Sequence, residues 1–287
     1  MEWQLNILTW VQSFKNPVLD QFFLLITISA EELFIIAVAA WFMWCQNKYL
    51  AQRVGFAFLT STVFNPTLKD IFAIDRPIGV TGVESMRLET APGYSFPSGH
   101  AQSATSFWFA AALGIRRRWI AVLASVMIVL VAISRLYLGV HWFTDVIAGI
   151  FFGLLWVFFI DRLFSYCERE NKMSYLWLVI VPFAIAYFLY PDNKPLVVSF
   201  GASIGFLAGI QLERKYLNFK IEGVLWQKLT RYAIGLLMLV VIKAALKPLL
   251  PFPEMISDLI RYGCIGFWVS AGAPWLFQRL NFLSSKA

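Results

Sequence analysis

The chain has 287 residues, of which 59% are hydrophobic and only 14% are charged. Soluble domains carry about 25% charged residues, so both a soluble globular protein and a disordered one are excluded. The 24 basic and 17 acidic residues give a net charge of +7. In so apolar a chain, basic residues in short loops indicate membrane topology rather than a nucleic-acid partner. We therefore expect an integral membrane protein.

Long apolar segments predict an all-α, polytopic bundle of membrane helices. About 20 apolar residues cross a bilayer as a helix, and this length predicts about nine spans in the chain. The nine segments are 18–46, 51–74, 98–115, 119–135, 141–161, 174–190, 195–212, 229–247 and 257–279. Before them, an interfacial helix is expected, on which one face holds Trp3, Ile7, Trp10, Val11 and Phe14.

Basic residues are divided unequally between alternate loops. One set of loops and the C-terminal tail hold 15 of the 24 Lys and Arg residues, and the other side holds about seven. Because basic loops stay in the cytoplasm, we expect the N-terminus outside and the C-terminus inside a bacterial cytoplasmic membrane. The 15 are Lys48, Arg53, Arg116, Arg117, Arg118, Arg162, Arg169, Lys172, Arg214, Lys215, Lys220, Lys228, Arg231, Arg279 and Lys286.

The cysteines and the N-terminus add two expectations. Cys45, Cys167 and Cys264 are odd in number and far apart, so we expect neither a disulfide framework nor a zinc site. The first residues include no basic segment followed by a small-residue cleavage site, so we expect no cleavable signal peptide.

Three polar clusters lie at the expected outer ends of spans. They are Lys69 with Arg76-Pro77, Pro97-Ser98-Gly99-His100, and Ser134-Arg135 with His141 and Asp145. Ionisable groups at membrane depth are costly and usually face a cavity or each other. Singly, a basic residue at a span end is most often an anchor and a Ser-Gly pair is a helix cap. Their convergence at one level, with both histidines of the chain, favours a functional site.

The chemistry of these clusters points to phosphate. His141 and Asp145 are four residues apart, so on a helix the carboxylate orients the imidazole, as it would for a nucleophile or base. Ser98 and Gly99 follow a proline at an expected helix start, where free N–H groups favour an anion. Three cations share this level, namely Lys69, Arg76 and Arg135. The set predicts a phosphate site with a nucleophile and a general acid.

The clusters match all signature positions of the type 2 phosphatidic acid phosphatase family, which are Lys-x6-Arg-Pro, Pro-Ser-Gly-His and Ser-Arg-x5-His-x3-Asp. The chain resembles this family over roughly residues 18–165. The resemblance implies a lipid phosphatase that needs no metal or other cofactor and forms a phosphohistidine. It implies that His141 attacks phosphorus, that Asp145 orients it, and that His100 protonates the leaving oxygen and then activates water. The implied phosphate-binding residues are Lys69, Arg76, Ser98, Gly99 and Arg135.

The motifs also predict how the chain is divided. Residues 1–165 are expected to form the catalytic membrane core, and residues 166–287 an additional four-span module. In that module, Lys243 and Lys247 are snorkelling anchors or part of a second polar site. Glu31 and Glu32 fall in the middle of the first expected span and are candidate modulators. They are expected to pair with the phosphate-site cations, or to serve proton transfer or head-group selection.

Two functions from different classes are consistent with these residues. The first is hydrolysis of a membrane lipid phosphate, with undecaprenyl diphosphate favoured over phosphatidylglycerophosphate and phosphatidate because the expected site faces outward. The alternative is a lipid-phosphate or phosphate transporter or binding protein that uses the same site. Binding alone requires cations but not the His141–Asp145 pair, which favours the enzyme. The expected partners are the lipid substrate and the bilayer, and the oligomeric state stays open.

Overall fold

The computed structural model describes residues 2–280, so Lys286 lies outside the described residues. The predicted all-α class is confirmed, since this part of the chain contains helices and no strand. The helices are α1 (Glu2–Gln12), α2 (Pro17–Ile28), α3 (Glu32–Trp41), α4 (Lys48–Phe72), α5 (Gly99–Ile115), α6 (Arg118–Tyr137), α7 (Phe143–Arg169), α8 (Trp177–Leu189), α9 (Lys194–Leu212), α10 (Leu225–Leu249), α11 (Glu254–Phe267) and α12 (Ala273–Arg279).

Fewer helices qualify as membrane spans than the sequence predicts. Helices α6, α7, α9 with its π-helical extension to Leu217, and α10 are long and apolar enough to cross a bilayer. A fifth span results if α2 and α3 are counted together, although they are bent by 55°. The expected nine spans are therefore not confirmed. Helix α4 has 25 residues but carries many polar groups, and α5 has only 17 residues.

The first expected span, 18–46, is not a continuous helix. Helix α2 ends at Ile28, α3 begins at Glu32, and the hydroxyl of Ser29 donates to the carbonyl of Ile26 at 2.6 Å. Glu31 lies in this break, and Glu32 occupies the first turn of α3, where a carboxylate suits the positive end of the helix dipole. The two glutamates therefore occupy a break rather than the middle of an unbroken apolar helix.

Helix α1 forms where an interfacial helix is expected, but it packs on the protein, both through Val11 of the predicted face and through other side chains. Leu8 is fully buried in an apolar cluster with side chains of α5, α6 and α7. The side-chain oxygen of Gln4 accepts from the amide and the hydroxyl of Thr144 at 3.1 and 2.9 Å. Trp3 and Trp10, on the predicted membrane-facing side, are exposed. The helix therefore braces the start of α7.

The chain folds as two compact units. One contains the described residues up to Ile35 together with Phe64–Phe159, and the other contains Ile36–Val63 and the described residues from Ile160 onwards. All three polar clusters belong to the first unit. The predicted functional division at residue 165 stays a prediction, but the packing places residues 36–63 with the C-terminal part of the chain.

The second unit is built on close contact between α9 and α11. Glycines recur every fourth residue along α9, at positions 201, 205 and 209, and such spacing lets helix backbones approach closely. A Cβ at Gly205 would overlap the carbonyl oxygen of Gly263 in α11. On α10, Lys243 and Lys247 are both exposed, which is consistent with anchoring.

This contact predicts the effect of one methyl group. Gly205→Ala should lower the thermal midpoint of the purified protein in detergent, by the equivalent of about 1–3 kcal/mol, because the added Cβ forces the two backbones apart. Gly263→Ala is the matched control, since its Cβ would meet only the carbonyl oxygen of Gly201, at 3.5 Å. Equal midpoints for the two variants would contradict the close approach.

Candidate active site

The predicted histidine–aspartate pair forms at the turn between α6 and α7. His141 Nδ1 lies 3.4 Å from Asp145 Oδ2, and the amide of Trp142 donates to the same oxygen at 2.7 Å. Both partners of the pair are buried, and Asp145 sits in the first turn of α7, where helix N–H groups stabilise a carboxylate. A proton on Nδ1 is thus directed at Asp145, which leaves the Nε2 lone pair for chemistry.

Sequence reasoning missed a third member of this group, Ser95. Its hydroxyl donates to Asp145 Oδ2 at 2.5 Å and lies 3.3 Å from His141 Nδ1. The Ser95 amide donates to the carbonyl of Ile74 at 2.7 Å, which holds the residue in place. Ser95 stands two residues before Pro97 in a loop, and a single serine in a loop gives no periodic signal that would identify it.

Arg76 is held against the histidine by backbone carbonyls. Its Nε donates to Gly93 O, its NH2 to Pro92 O and its NH1 to Val140 O, each at 2.9 Å. The same NH1 lies 3.0 Å from His141 Nε2. Burial lowers the pKa of this loop arginine to about 10, so it remains charged at neutral pH. A positive charge therefore sits directly beside the nitrogen with the lone pair.

Lys69, in the last turn of α4, is anchored on the same loop. Its Nζ donates to the carbonyl oxygens of Tyr94 at 2.5 Å and Ser95 at 3.2 Å. Consecutive carbonyls of residues 92–95 therefore accept from the two cations. Carbonyl dipoles face both side chains, and Arg76 keeps its charge at neutral pH, so the site stays positive.

The Pro-Ser-Gly-His segment is joined to the histidine–aspartate pair through its backbone. The Ser98 amide donates to the carbonyl of Asp145 at 2.9 Å, and Ser98 is the residue that precedes α5. A second residue that the sequence analysis missed, Asn65, donates to the carbonyl of Pro97 at 3.3 Å. Gly149 of α7 permits this approach, because a Cβ there would lie 2.6 Å from the carbonyl oxygen of Ser98.

Polar atoms in this region are buried without a hydrogen-bond partner among the described residues. They are Ser98 Oγ, His100 Nε2, Arg135 Nε and NH2, and Asp145 Oδ1. Ala101, Leu136 and Val146 pack in one apolar cluster. Each directly follows a motif residue in the sequence, so the motif segments that carry these polar atoms meet. Buried polar groups are normally paired. The open donors of Ser98 and Arg135 therefore suit an oxyanion such as phosphate, whereas Asp145 Oδ1 is an acceptor.

Three predicted site residues remain, namely Gly99, Glu31 and Glu32. Gly99 lies against Asn65, where an added Cβ would come 3.2 Å from the side-chain oxygen. Glu31 forms a salt bridge with Arg87 at 2.6 Å. The partner is therefore not one of the expected phosphate-site cations, Lys69, Arg76 and Arg135. Glu32 is exposed at the start of α3. Within residues 2–280, no three His, Cys, Asp or Glu side chains are grouped to hold a metal ion.

Comparison with known sequences identifies what this chain is similar to. The profile described as the PAP2 superfamily matches residues 50–169, and the profile described as the transmembrane extension of PAP2 superfamily phosphatases matches residues 197–286. Phosphatidylglycerophosphatase B of Bacillus subtilis is 37% identical over 92 residues, 27% of this chain and 45% of that protein. Undecaprenyl-diphosphatase of Sulfolobus acidocaldarius is 29% identical over 131 residues, 46% of this chain and 63% of that protein.

Among solved structures, Aquifex aeolicus LpxE matches with a TM-score of 0.50 and 23% identity, over 55% of this chain and 94% of that one. This likeness concerns the fold. The chain spans 41–61% of the length of the first curated relatives that it matches.

The site predicts the protonation state of His141. Burial, and then the charges of Arg76, Lys69 and Arg135, lower the pKa of His141 well below its usual value. A histidine with a lowered pKa stays neutral until the pH falls through that lower value. We therefore expect His141 to remain neutral, with its proton on Nδ1, below the ordinary histidine pKa of about 6.5.

The measurement is ¹⁵N NMR of histidine-labelled protein, which carries only two histidines. A His100→Asn variant assigns the signal of His141. Arg76→Ala should move the titration of His141 to higher pH, because it removes a neighbouring positive charge, whereas Arg117→Ala should not move it. An imidazolium at His141 at pH 7 would refute this protonation state.

Proposed function

We propose, on the premise that this chain belongs to the PAP2 superfamily of lipid phosphatases, that it cleaves a lipid phosphate at His141. The observation that carries the proposal is the buried, positively charged site in which His141 Nε2 lies 3.0 Å from Arg76 and Nδ1 faces Asp145. Buried polar atoms of Ser98, His100 and Arg135 have no hydrogen-bond partner among the described residues. These are the groups that a phosphoryl transfer to a nitrogen nucleophile requires.

In the first step, the Nε2 lone pair of His141 attacks phosphorus. A P–N bond forms and the bond from phosphorus to the leaving oxygen breaks. His100 gives that oxygen a proton, which the imidazole takes up when the anionic phosphate enters the site and offsets the charges of Arg76 and Arg135. Asp145 stabilises the positive charge that develops on the attacking imidazole. Ser95 donates to the same carboxylate, so it keeps Asp145 oriented towards His141.

In the second step, water displaces the histidine. Neutral His100 takes a proton from the water as its oxygen bonds to phosphorus, the P–N bond breaks, and inorganic phosphate leaves. His141 returns to its neutral form with its proton on Nδ1. The proton on His100 leaves with the phosphate, and the site is ready for another substrate.

The cations and the start of α5 act on the phosphoryl oxygens in both steps. Lys69, Arg76 and Arg135 are placed to offset the charge that these oxygens gain in each transition state. Arg76 NH1 lies 3.0 Å from His141 Nε2, so a bound phosphoryl oxygen would take this donor and free the nitrogen. Ser98 and the amide of Gly99 at the helix start supply further donors.

Undecaprenyl diphosphate is the substrate we favour, with phosphatidylglycerophosphate and phosphatidate as alternatives. Two similar proteins carry the names undecaprenyl-diphosphatase and phosphatidylglycerophosphatase B. The preference rests on the expected sidedness. Counted over the loops between the nine expected spans, basic residues number 15 on one side and about seven on the other, which favours a site on the outer face of a bacterial cytoplasmic membrane. On that face, lipid carriers are released during wall assembly.

The division of labour between the histidines is testable by substitution. His141→Ala should abolish phosphate release from a lipid phosphate by purified protein. His100→Ala should leave a trace that increases with better leaving groups, because such groups need less protonation. Ser95→Ala should lower kcat and leave KM nearly unchanged. Full activity of His141→Ala would end the assignment of the nucleophile.

Sidedness is testable by labelling intact cells. In a background without the native cysteines, a cysteine at position 84 should react with an impermeant maleimide, and one at 117 should not. Position 84 suits the label because the side chain of Glu84 is 75% exposed. Position 82 in the same loop is less suitable, because Gly82 has φ of +87°, where a cysteine would be strained. Labelling at 117 alone would put the site in the cytoplasm and remove the argument for undecaprenyl diphosphate.

A further inference from the structure

Two arginines of the first unit meet the same short stretch at the end of α2. Arg135 NH1 donates to Thr27 Oγ1 at 2.7 Å, and Arg87 donates from Nε and NH2 to Glu31 Oε1 at 2.9 and 2.6 Å. Thr27 and Glu31 are four residues apart, and the amide of Ala30 donates to the carbonyl of Thr27. The two contacts therefore lie within five consecutive residues, 27–31, at the end of α2 and in the break that follows it.

The contact with Glu31 leaves part of the Arg87 guanidinium open. A guanidinium has five N–H donors, and this contact uses one on Nε and one on NH2. NH1 lies 3.8 Å from Glu89 Oε1, which is too long for a hydrogen bond. The Glu89 side chain is 69% exposed, so solvent weakens that pair. The NH1 edge of Arg87 is thus oriented by a carboxylate and available to an anion.

The loop that carries Arg87 is fastened to the turn that carries His141. The amide of Met86 donates to the carbonyl of Leu138 at 2.9 Å, and Ala91 is buried against Leu138. Arg87 itself has φ of +58°, in the left-handed region that a side chain such as arginine disfavours. Such strain persists only where the surroundings enforce it, and it concentrates at functional sites.

We propose that Arg87 is a substrate-binding residue for a second phosphate, and that Glu31 positions it. This inference rests on the proposed function: the terminal phosphate of a lipid diphosphate meets His141, and the phosphate next to it meets Arg87. The second phosphate is covalently joined to the first, so it lies directly beside the phosphate that meets His141. Arg87 makes no bond to phosphorus, and its charge stabilises the lipid monophosphate that leaves.

The assignment predicts a preference for diphosphates. A lipid monophosphate has no group for Arg87, whereas a diphosphate gains a charge-assisted contact with an arginine that is already oriented. Glu31 serves as the positioning residue, because without its carboxylate the guanidinium keeps its charge but loses its orientation. The carboxylate also holds Arg87 in place when no diphosphate is bound.

The experiment compares farnesyl diphosphate with farnesyl monophosphate, which share one chain, as substrates of the purified full chain in detergent. Arg87→Gln should lower kcat/KM for the diphosphate about 10- to 100-fold, the value of a charged hydrogen bond, and leave the monophosphate nearly unaffected. Glu31→Gln should raise KM for the diphosphate with little change in kcat. Arg117→Gln, which removes the same charge from another loop of the first unit, should change neither substrate.

Each other result has a defined meaning. Equal losses on the two substrates, or no loss on either, would overturn the assignment of Arg87. If Arg87→Gln does not purify as a single species, Arg87→Lys decides, because it keeps the charge but removes the fork. That variant should lose activity selectively on the diphosphate, and an unselective loss would again overturn the proposal. If the unaltered chain hydrolyses neither substrate, the proposed function fails instead.

Discussion

Burying several cations beside one histidine is the constraint on which the rest of the first unit depends. Charges removed from water are expensive unless dipoles or counter-charges face them. Here the carbonyls of residues 92–95 accept from Lys69 and Arg76, and Asp145 is the carboxylate next to the histidine. These dipoles hold the cations without cancelling them. The site is therefore stable as a folded structure and still attracts an anion.

This constraint explains the elements around the site that carry no chemistry. Helix α1 braces the start of α7 through Gln4, and Asn65 of α4 holds the carbonyl of Pro97 at the start of α5. The break between α2 and α3 brings Thr27 to Arg135 and Glu31 to Arg87. Polar side chains on helices that a hydropathy argument treats as simple spans are thus used to position the cations. The same polar content makes α4 a poor candidate span.

The site residues that could be predicted from sequence are those whose partners lie only a few positions away in the chain. The spacing of His141 and Asp145 predicts their pairing, although His141 precedes α7 and Asp145 reaches back to it from the first turn of that helix. The helix start after Pro97 follows from proline and glycine preferences. Ser95 and Asn65 could not be predicted, since each acts through a contact between segments distant in sequence. The broken helix near Glu31 was missed for a related reason: apolar length signals a span but not its continuity.

The most direct test of the central claim is to trap the covalent intermediate. Purified protein and the His100→Ala variant would be mixed with a lipid phosphate that carries a good leaving group. The reaction would be quenched at alkaline pH, because a phosphorus–nitrogen bond is labile in acid, and the peptides analysed by mass spectrometry. We predict phosphate on His141, accumulating in His100→Ala because water is no longer activated, and absent in His141→Ala. Turnover with phosphate on another residue, or with no phosphorylated peptide in either protein, would contradict the account.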